Sequence, residues 1–450
     1  MNSSFGRTML GVALCAATFA RGAMGQDTNQ IYPIDLPTTL RLAGAQNLEI
    51  QLARQRLKQA EAERSIAVEK FFPWIAPGVS YHRRDGVAQA VPAGTISDAH
   101  FQSYSPGVAL AAQMDIGDAL YQSLAAKQLV RASDQGLEVQ RQDVILSAAH
   151  RYFELAKAKA LVQVASEALK TSETYEHQLH DAVEAGIVFK GDELRVQTQT
   201  KQYAILLRQA VEQQKVGSVE LARILHLDPK TELVASDSGL NRLTLVETNA
   251  SMNRLVEQAL EARPELKRSG ALIAAARQSR NGAVYGPLIP SISAQAFGGG
   301  LGGGPDGGPN HFGAEGDYLV GLTWRIGPGG LFDPGRVRAN KARVAEAEIE
   351  AAKIRDDVAA QVVAGLARTQ SLSDQIELSQ AKLAAATETL RVTHERKQYG
   401  VGIVLEDLQA QQDLERARAD YLTAIAEFNK SQYSLLKAIG NLNEPAAVRK

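Results

Sequence analysis

The sequence predicts a mainly helical chain with a small β part, written as two copies of one long-helix unit. Two tracts of more than 60 residues keep helical periodicity without a proline, at 118–185 and 335–398. Four short segments instead alternate apolar and polar residues. The back of the chain also repeats the front: an offset of 214 pairs Lys127 with Lys341, Val144 with Val358, Gly186 with Gly400, Leu194 with Leu408 and Leu221 with Leu435. The stretches NLEIQLARQRLKQAEAERSIAVEKFFPWI and PELKRSGALIAAARQSRNGAVYGPLIPSI correspond at 216 or 217, so small length differences lie between.

The expected order starts with an export signal over 1–25, in which Arg7 precedes the apolar run TMLGVALCAATFA and Ala23, Met24 and Gly25 mark the cut. Cys15, the one cysteine, lies inside it, and Leu14 stands where a lipid-anchoring motif expects glycine or alanine. A first repeat over 26–230, a linker over 231–250, a second repeat over 251–444 and a tail over 445–450 follow. Each repeat opens with a helix, 36–70 or 251–284, and ends it at prolines, Pro73 or Pro287 and Pro290. A β-hairpin comes next, about 76–115 or 290–326, with the polar 85–103 and the glycine-rich GGGLGGGPDGGPNHFGAEG read as its loops. The long helix, a glycine turn and a returning helix (192–226 or 406–440) complete the unit.

A helix of more than 60 residues is about 100 Å long, too long for one globular core, so it must pack along its length. Ile145, Ala148, Tyr152 and Leu155 form one apolar row, and Ala149, Phe153, Ala156 and Ala160 a second beside it, with Arg151, Glu154, Lys157 and Lys159 between or outside them. Two seams and one wet face suit a curved wall of helices. In the hairpins, Tyr318, Val320, Leu322 and Trp324 share one face of DYLVGLTWRI, and Val108, Leu110, Ala112 and Met114 one face of SPGVALAAQMDI. Such segments are long enough to cross a bilayer as tilted strands, with Tyr318 and Trp324 expected in the interfacial aromatic girdles. Four strands cannot close a barrel alone, so lipid would oblige several chains to cooperate.

Other classes are disfavoured. With 49 basic and 50 acidic residues the formal charge is -1, which provides no field to draw nucleic acid. The glycine string lacks a Gly-Lys-Ser/Thr ending. His177 and His180, with Asp181 and Glu184 nearby, have metal-compatible spacing but read as solvated helix surface, and no nucleophile motif points to an enzyme or a cofactor.

The duplicated plan, the YGVG and LEDLQAQQ turn, the segment ARADYLTAIAEFNKSQYSLLKAIGNLNE and the junction FFPWIAPGVS resemble the outer-membrane efflux protein family, typified by TolC. The resemblance runs from about Asp35 to Glu444. It implies a homotrimer with a trimeric α-barrel, four strands per chain joining a 12-stranded transmembrane β-barrel, and a location in the outer membrane with a periplasmic extension. It further implies an exit duct for efflux or type I secretion, fed by a periplasmic adaptor and an inner-membrane pump of the RND, ABC or MFS type. By the same resemblance the glycine turns form the periplasmic tip: Gly186, Asp192 and Glu193 in the first repeat, and Tyr399, Gly400, Gly402, Glu406 and Asp407 in the second. Acids repeated by threefold symmetry would make a cation-favouring constriction there. The arginine that often follows the family's second turn is absent, since Ile403 and Val404 follow Gly402. A periplasmic coiled-coil adaptor or scaffold is the alternative; it would share the long helices but lack the alternating hairpins.

Overall fold

The two proline-free tracts fold as single helices in the computed structural model, which describes residues 31–72, 74–89, 94–236, 240–305, 311–398 and 403–442. The export segment with Cys15, the tail, and Tyr399, Gly400 and Gly402 lie outside the described residues. The first copy contains β1 (Ile31–Ile34), α1 (Leu36–Gln46), α2 (Leu48–Glu69), β2 (Trp74–Gln89), β3 (Ile96–Met114), α3 (Ile116–Glu184) and α4 (Lys190–Leu225). After β4 (Glu232–Ala235), the second contains α5 (Met252–Ala262), α6 (Pro264–Tyr285), β5 (Ser291–Pro305), β6 (His311–Thr323), α7 (Pro334–Gln398) and α8 (Val404–Ala438). At 69 residues, α3 is about 100 Å long.

The opening helix of each repeat, expected to be continuous, is broken. The breaks fall at equivalent positions, Asn47 and Arg263, both with extended backbone (φ -64, ψ 131 and φ -59, ψ 125). At Arg263 the cause is the next residue, Pro264, which disfavours helical angles before it. Asn47 instead caps α2, its Oδ1 accepting from the Glu49 amide at 2.8 Å. Each break residue also reaches the end of its own repeat's returning helix: Asn47 Nδ2 donates to the Ile224 carbonyl at 3.0 Å and Arg263 Nη1 to the Ala438 carbonyl at 3.3 Å. Carbonyls in the last turn have no partner within the helix, so these bonds tie the break to the helix end. Replacing Asn47 with alanine removes both bonds and is expected to cost about 1–3 kcal/mol, measurable as a lower thermal midpoint of helix circular dichroism.

Both predicted rows of α3 are buried apart from the half-exposed Ala160, with Tyr152, Leu155, Leu221, Leu225 and Leu233 in one cluster. Charged residues flanking the rows bridge helices: Arg151 pairs with Glu220 of α4, and Glu154 with Lys430 of α8. Asp143 with Lys437 and Glu167 with Arg418 extend this second line, so acids of copy one meet bases of copy two along the α3–α8 seam. The segment read as a linker is pinned as well. Buried Asn429 accepts from the Leu243 amide at 2.8 Å, and buried Gln432 accepts from the Leu245 and Val246 amides at 2.9 and 2.7 Å. Its strand β4 pairs in parallel with β1, a small sheet that the sequence did not suggest.

The four longer strands make one antiparallel sheet in the order β2-β3-β5-β6. They extend well into both segments expected to be loops, since pairing continues to Gln89 with Ile96 and to Gly303 with His311. Steric demand explains the glycine-rich strand. A Cβ at Gly300 would lie 2.2 Å from the Phe312 ring, and one at Gly302 2.5 Å from the Tyr104 ring. Aromatic side chains of the neighbouring strands occupy the space that larger residues would fill.

Candidate functional site: sheet face and helix tip

Residues directly opposite in an antiparallel pair point to the same side, so the register sorts the whole sheet into two faces. One face carries the rows Leu322, Ile292, Met114; then Val320, Ala294, Ala112; then Tyr318, Ala296, Leu110, Ile75. It continues through Gly298, Val108 and Pro77 to a row of Phe312, Gly302, Tyr104 and Tyr81. Every side chain in these rows is apolar or aromatic. Beyond the last row the same face becomes polar, with Arg83 opposite Gln102 and Asp85 opposite His100. The other face is mixed, presenting Ser293, Gln113, Gln295, Asp317 and Glu315 beside the large apolar Trp74, Phe297, Leu301 and Leu319.

Aromatic residues bound the apolar face, but they are not the pair the sequence suggested. Trp324 lies just beyond the end of β6, its indole N–H donating to the Leu288 carbonyl at 3.3 Å, and so marks the lower edge. Tyr318 falls near mid-face instead, level with Ala296 and Leu110. The upper edge is the row of Tyr81, Tyr104 and Phe312, in which the last two rings stack 6.0 Å apart. This row was missed because Phe312 sits in the glycine-rich tract read as loop; the signal was an aromatic at one shared height on β2, β3 and β6, visible only with the register. Trp324 to Phe312 spans roughly 40 Å of strand, or about 30 Å of height at usual barrel tilts. Among the described residues no helix is long and apolar enough to cross a membrane.

At the opposite end, Gly186 closes the first hairpin turn with φ 72, as the Ile187 amide reaches back to the Ala182 carbonyl at 2.9 Å. That left-handed conformation suits glycine. The four acids of the returning helices begin α4 and α8, where the helix dipole favours negative charge. They do not point one way. Successive helix residues are about 100° apart, so the first of each pair faces outward and the second inward.

Asp192 meets Arg195 at 3.1 Å and Glu406 meets Arg396 at 3.4 Å, both on the surface side. Glu193 and Asp407 have side chains only 1% exposed. Glu193 accepts from Lys190 Nζ at 2.6 Å, His180 Nδ1 at 3.0 Å and Gln197 Nε2 at 3.3 Å. Lys190, then His180, hold its carboxyl below the usual carboxylate range. Asp407 lies against Tyr175 of α3, and burial, then this carboxylate, push the Tyr175 phenol above its ordinary range. Tyr175, Leu179, Val196 and Leu408 form the small apolar core of the tip. His177 is exposed, as expected, whereas His180 is engaged by Glu193 and Glu184. Outside this core, Ile187 and Phe189 are exposed at 78% and 84%, leaving the turn with an apolar cap.

The outer membrane efflux protein family model matches residues 39–225 and 255–441, one match for each repeat. No curated protein matches the chain. Among solved structures, the chain is similar to the CmeC outer membrane channel of Campylobacter jejuni (18% identity, 91% of this chain and 86% of that one, TM-score 0.78). It is also similar to the outer membrane protein VceC of Vibrio cholerae (18%, 90% and 96%, TM-score 0.74). The open-state MtrE outer membrane channel of Neisseria gonorrhoeae matches at 18% identity over 91% and 89%, with TM-score 0.75. These likenesses establish a shared fold of duplicated long-helix hairpins beneath a four-stranded sheet. With both repeats matched by the family model, the chain belongs to the outer membrane efflux protein family.

Proposed function

We propose that the chain is the exit duct of a tripartite efflux or type I secretion system, seated in the outer membrane as a homotrimer. The observation that carries this reading is the apolar sheet face that ends, among the described residues, at the edge strands β2 and β6. In lipid every backbone donor and acceptor needs a partner, so the edges must meet those of other copies. Three four-stranded sheets would close a barrel of twelve strands, with the mixed faces lining water. Apolar side chains left exposed on the long helices, among them Ile205 and Val216 of α4 and Ile349 and Leu378 of α7, suit lateral contact between copies. A periplasmic adaptor or scaffold would leave the apolar sheet face without a purpose.

In this reading the helices extend into the periplasm and their turns form the entrance. The cap of Ile187 and Phe189 would meet a periplasmic adaptor, which presents the inner-membrane pump, of RND, ABC or MFS type. Gly186 shapes the first turn. Asp192 and Glu406 are the acids placed to line the opening, while Glu193 and Asp407 hold the hairpins together. No catalytic role or cofactor is proposed.

Two measurements test the duct. An outer-membrane fraction should contain a heat-modifiable trimer; a detergent-independent soluble monomer would end the reading. In planar bilayers, combining Asp192→Asn with Glu406→Gln should lower cation over anion preference by roughly twofold, because charged rings set ion selectivity. Unchanged preference would remove these two acids from the entrance.

A further inference from the structure

Two helices each keep, among the described residues, an exposed row on the side away from their neighbours. Beneath the sheet the helices lie side by side in the order α2, α3, α6 and α7, so α2 and α7 end the row. Ile50, Ala53, Ala60 and Ala67 are the buried side of α2. At 100° per residue, its far side carries Leu48, Leu52, Gln55, Gln59, Ala62 and Ile66, alternately four and three apart and all exposed. On α7, Arg338, Ala342, Ala345, Ile349, Ala352 and Asp356 have the same spacing and are exposed too. Such spacing makes the seam of two helices packed along their length. Since α2 runs up to β2 and α7 runs down from β6, the two rows are antiparallel.

We propose that these rows are the two halves of one seam, α2 of one chain against α7 of the next, and that the charges beside them encode both its register and its partner, a second copy of this chain. The inference rests on the homotrimer of the duct reading and adds which helix faces meet and what sorts them. The helix α2 ends, and α7 begins, just below the sheet. Levelling Lys70, which caps α2, with Pro334, the first residue of α7, sets the two rows opposite each other residue for residue. Gln59 then faces Ala345 and Leu52 faces Ala352, a long side chain meeting a small one each time, and Ala62 faces Ala342. Above the rows each edge carries an exposed aromatic, Phe72 before β2 and Phe332 before α7, which continue the seam toward the strand edges.

The charges flanking the rows select this register. Arg56 comes opposite Glu346, Lys58 opposite Glu348 and Glu49 opposite Lys353, and no flanking pair is of like sign. Sliding one helix by seven residues in one direction puts Glu346 against Glu63 and Lys353 against Arg56. The opposite slide puts Glu346 against Glu49 and Lys341 against Lys58. Attraction becomes repulsion either way, and a helix with another charge order meets the same penalty. The charges are also available. Glu49, Arg56, Lys58 and Glu346 are exposed and, among the described residues, have no ion pair within their own chain. Glu348 divides its charge with Arg277 of α6 at 2.7 Å, and Lys353 lies 3.9 Å from Glu350.

Oxidation of outer membranes holding the full chain tests the seam. Gln59→Cys with Ala345→Cys should give a covalent species of three chains, about fivefold more than Gln59→Cys with Ala352→Cys, which lies two helix turns away and beyond disulfide reach. Adding Arg56→Glu should lower the aligned yield about threefold, and adding Glu346→Arg to that variant should restore it, because the pair is then reversed and no longer repulsive. Co-expressed with the unaltered chain, the Arg56→Glu/Glu346→Arg chain should enter mixed trimers at about half the random frequency or less. Equal cross-linking of the aligned and slipped pairs would overturn the proposal, as would a yield that Arg56→Glu leaves unchanged or that Glu346→Arg fails to restore. Random mixing of the two chains would remove the self-recognition. Trimers that form without the aligned cross-link would strike the seam and leave the duct standing, whereas chains that stay single throughout would strike both.

Discussion

Gly117→Ala is expected to destabilise the junction between sheet and helices by about 2–3 kcal/mol and to reduce the yield of assembled protein, because it overpacks a contact between two backbones. Gly117 lies in the first turn of α3, just after β3, and Gly286 begins the 3-10 turn that leads from α6 to β5. A Cβ at Gly117 would lie 2.1 Å from the Gly286 carbonyl oxygen and 2.8 Å from its Cα. Neither atom belongs to a side chain that can swing away, so the chain must separate where the two copies enter the sheet together. Arg336 bridges the same corner, pairing with Asp118 at 2.6 Å. Gly270→Ala is the matched control: a Cβ there meets nothing within 4 Å, and alanine in the helix interior should gain up to about 1 kcal/mol. Thermal unfolding of both variants by circular dichroism separates them, and equal midpoints would show that the junction is slack.

Phe428→Ala is expected to cost about 3–5 kcal/mol, the usual range for emptying a large aromatic site. The ring is fully buried on α8 against Leu372, Ile376, Ala424 and Ile425. The Arg242 guanidinium sits 4.7 Å from its centroid, which ties the segment before α5 onto the helix. Arg242 also donates to Ser373 at 2.9 Å, so part of its anchorage survives the truncation. Phe428→Leu should recover most of the loss by refilling the cavity. Phe189→Ala, on the exposed tip, should change stability by no more than about 0.5 kcal/mol.

What could be read from the sequence divides by the range of the force responsible. The α3 and α7 tracts were legible because an uninterrupted helical period is a local signal. The breaks at Asn47 and Arg263 were not read, although Pro264 marks the second and the duplication then places the first. The glycine-rich strand was read as loop because glycine weakens an isolated strand; only the rings of Phe312 and Tyr104, supplied by neighbouring strands, explain why it belongs in the sheet. Four-residue strands such as β1 and β4 have no pattern long enough to detect.

The tip acids show the same divide. Their position at helix starts was evident, but which of each pair turns inward depends on the seam. Val196 and Leu408, which join the tip core, identify the side on which Glu193 and Asp407 lie.

Cross-linking of the two free strand edges tests the central claim most directly. Ser80 of β2 and Asp317, Leu319 and Gly321 of β6 lie on the mixed face at opposite edges of one sheet. Pairing Ser80→Cys with cysteine at each β6 position in turn, then oxidising whole outer membranes, should give at one position a covalent species of three chains and none larger. Chains that stay single at every position, or an open ladder that climbs past three, would contradict a sheet closed by two further copies.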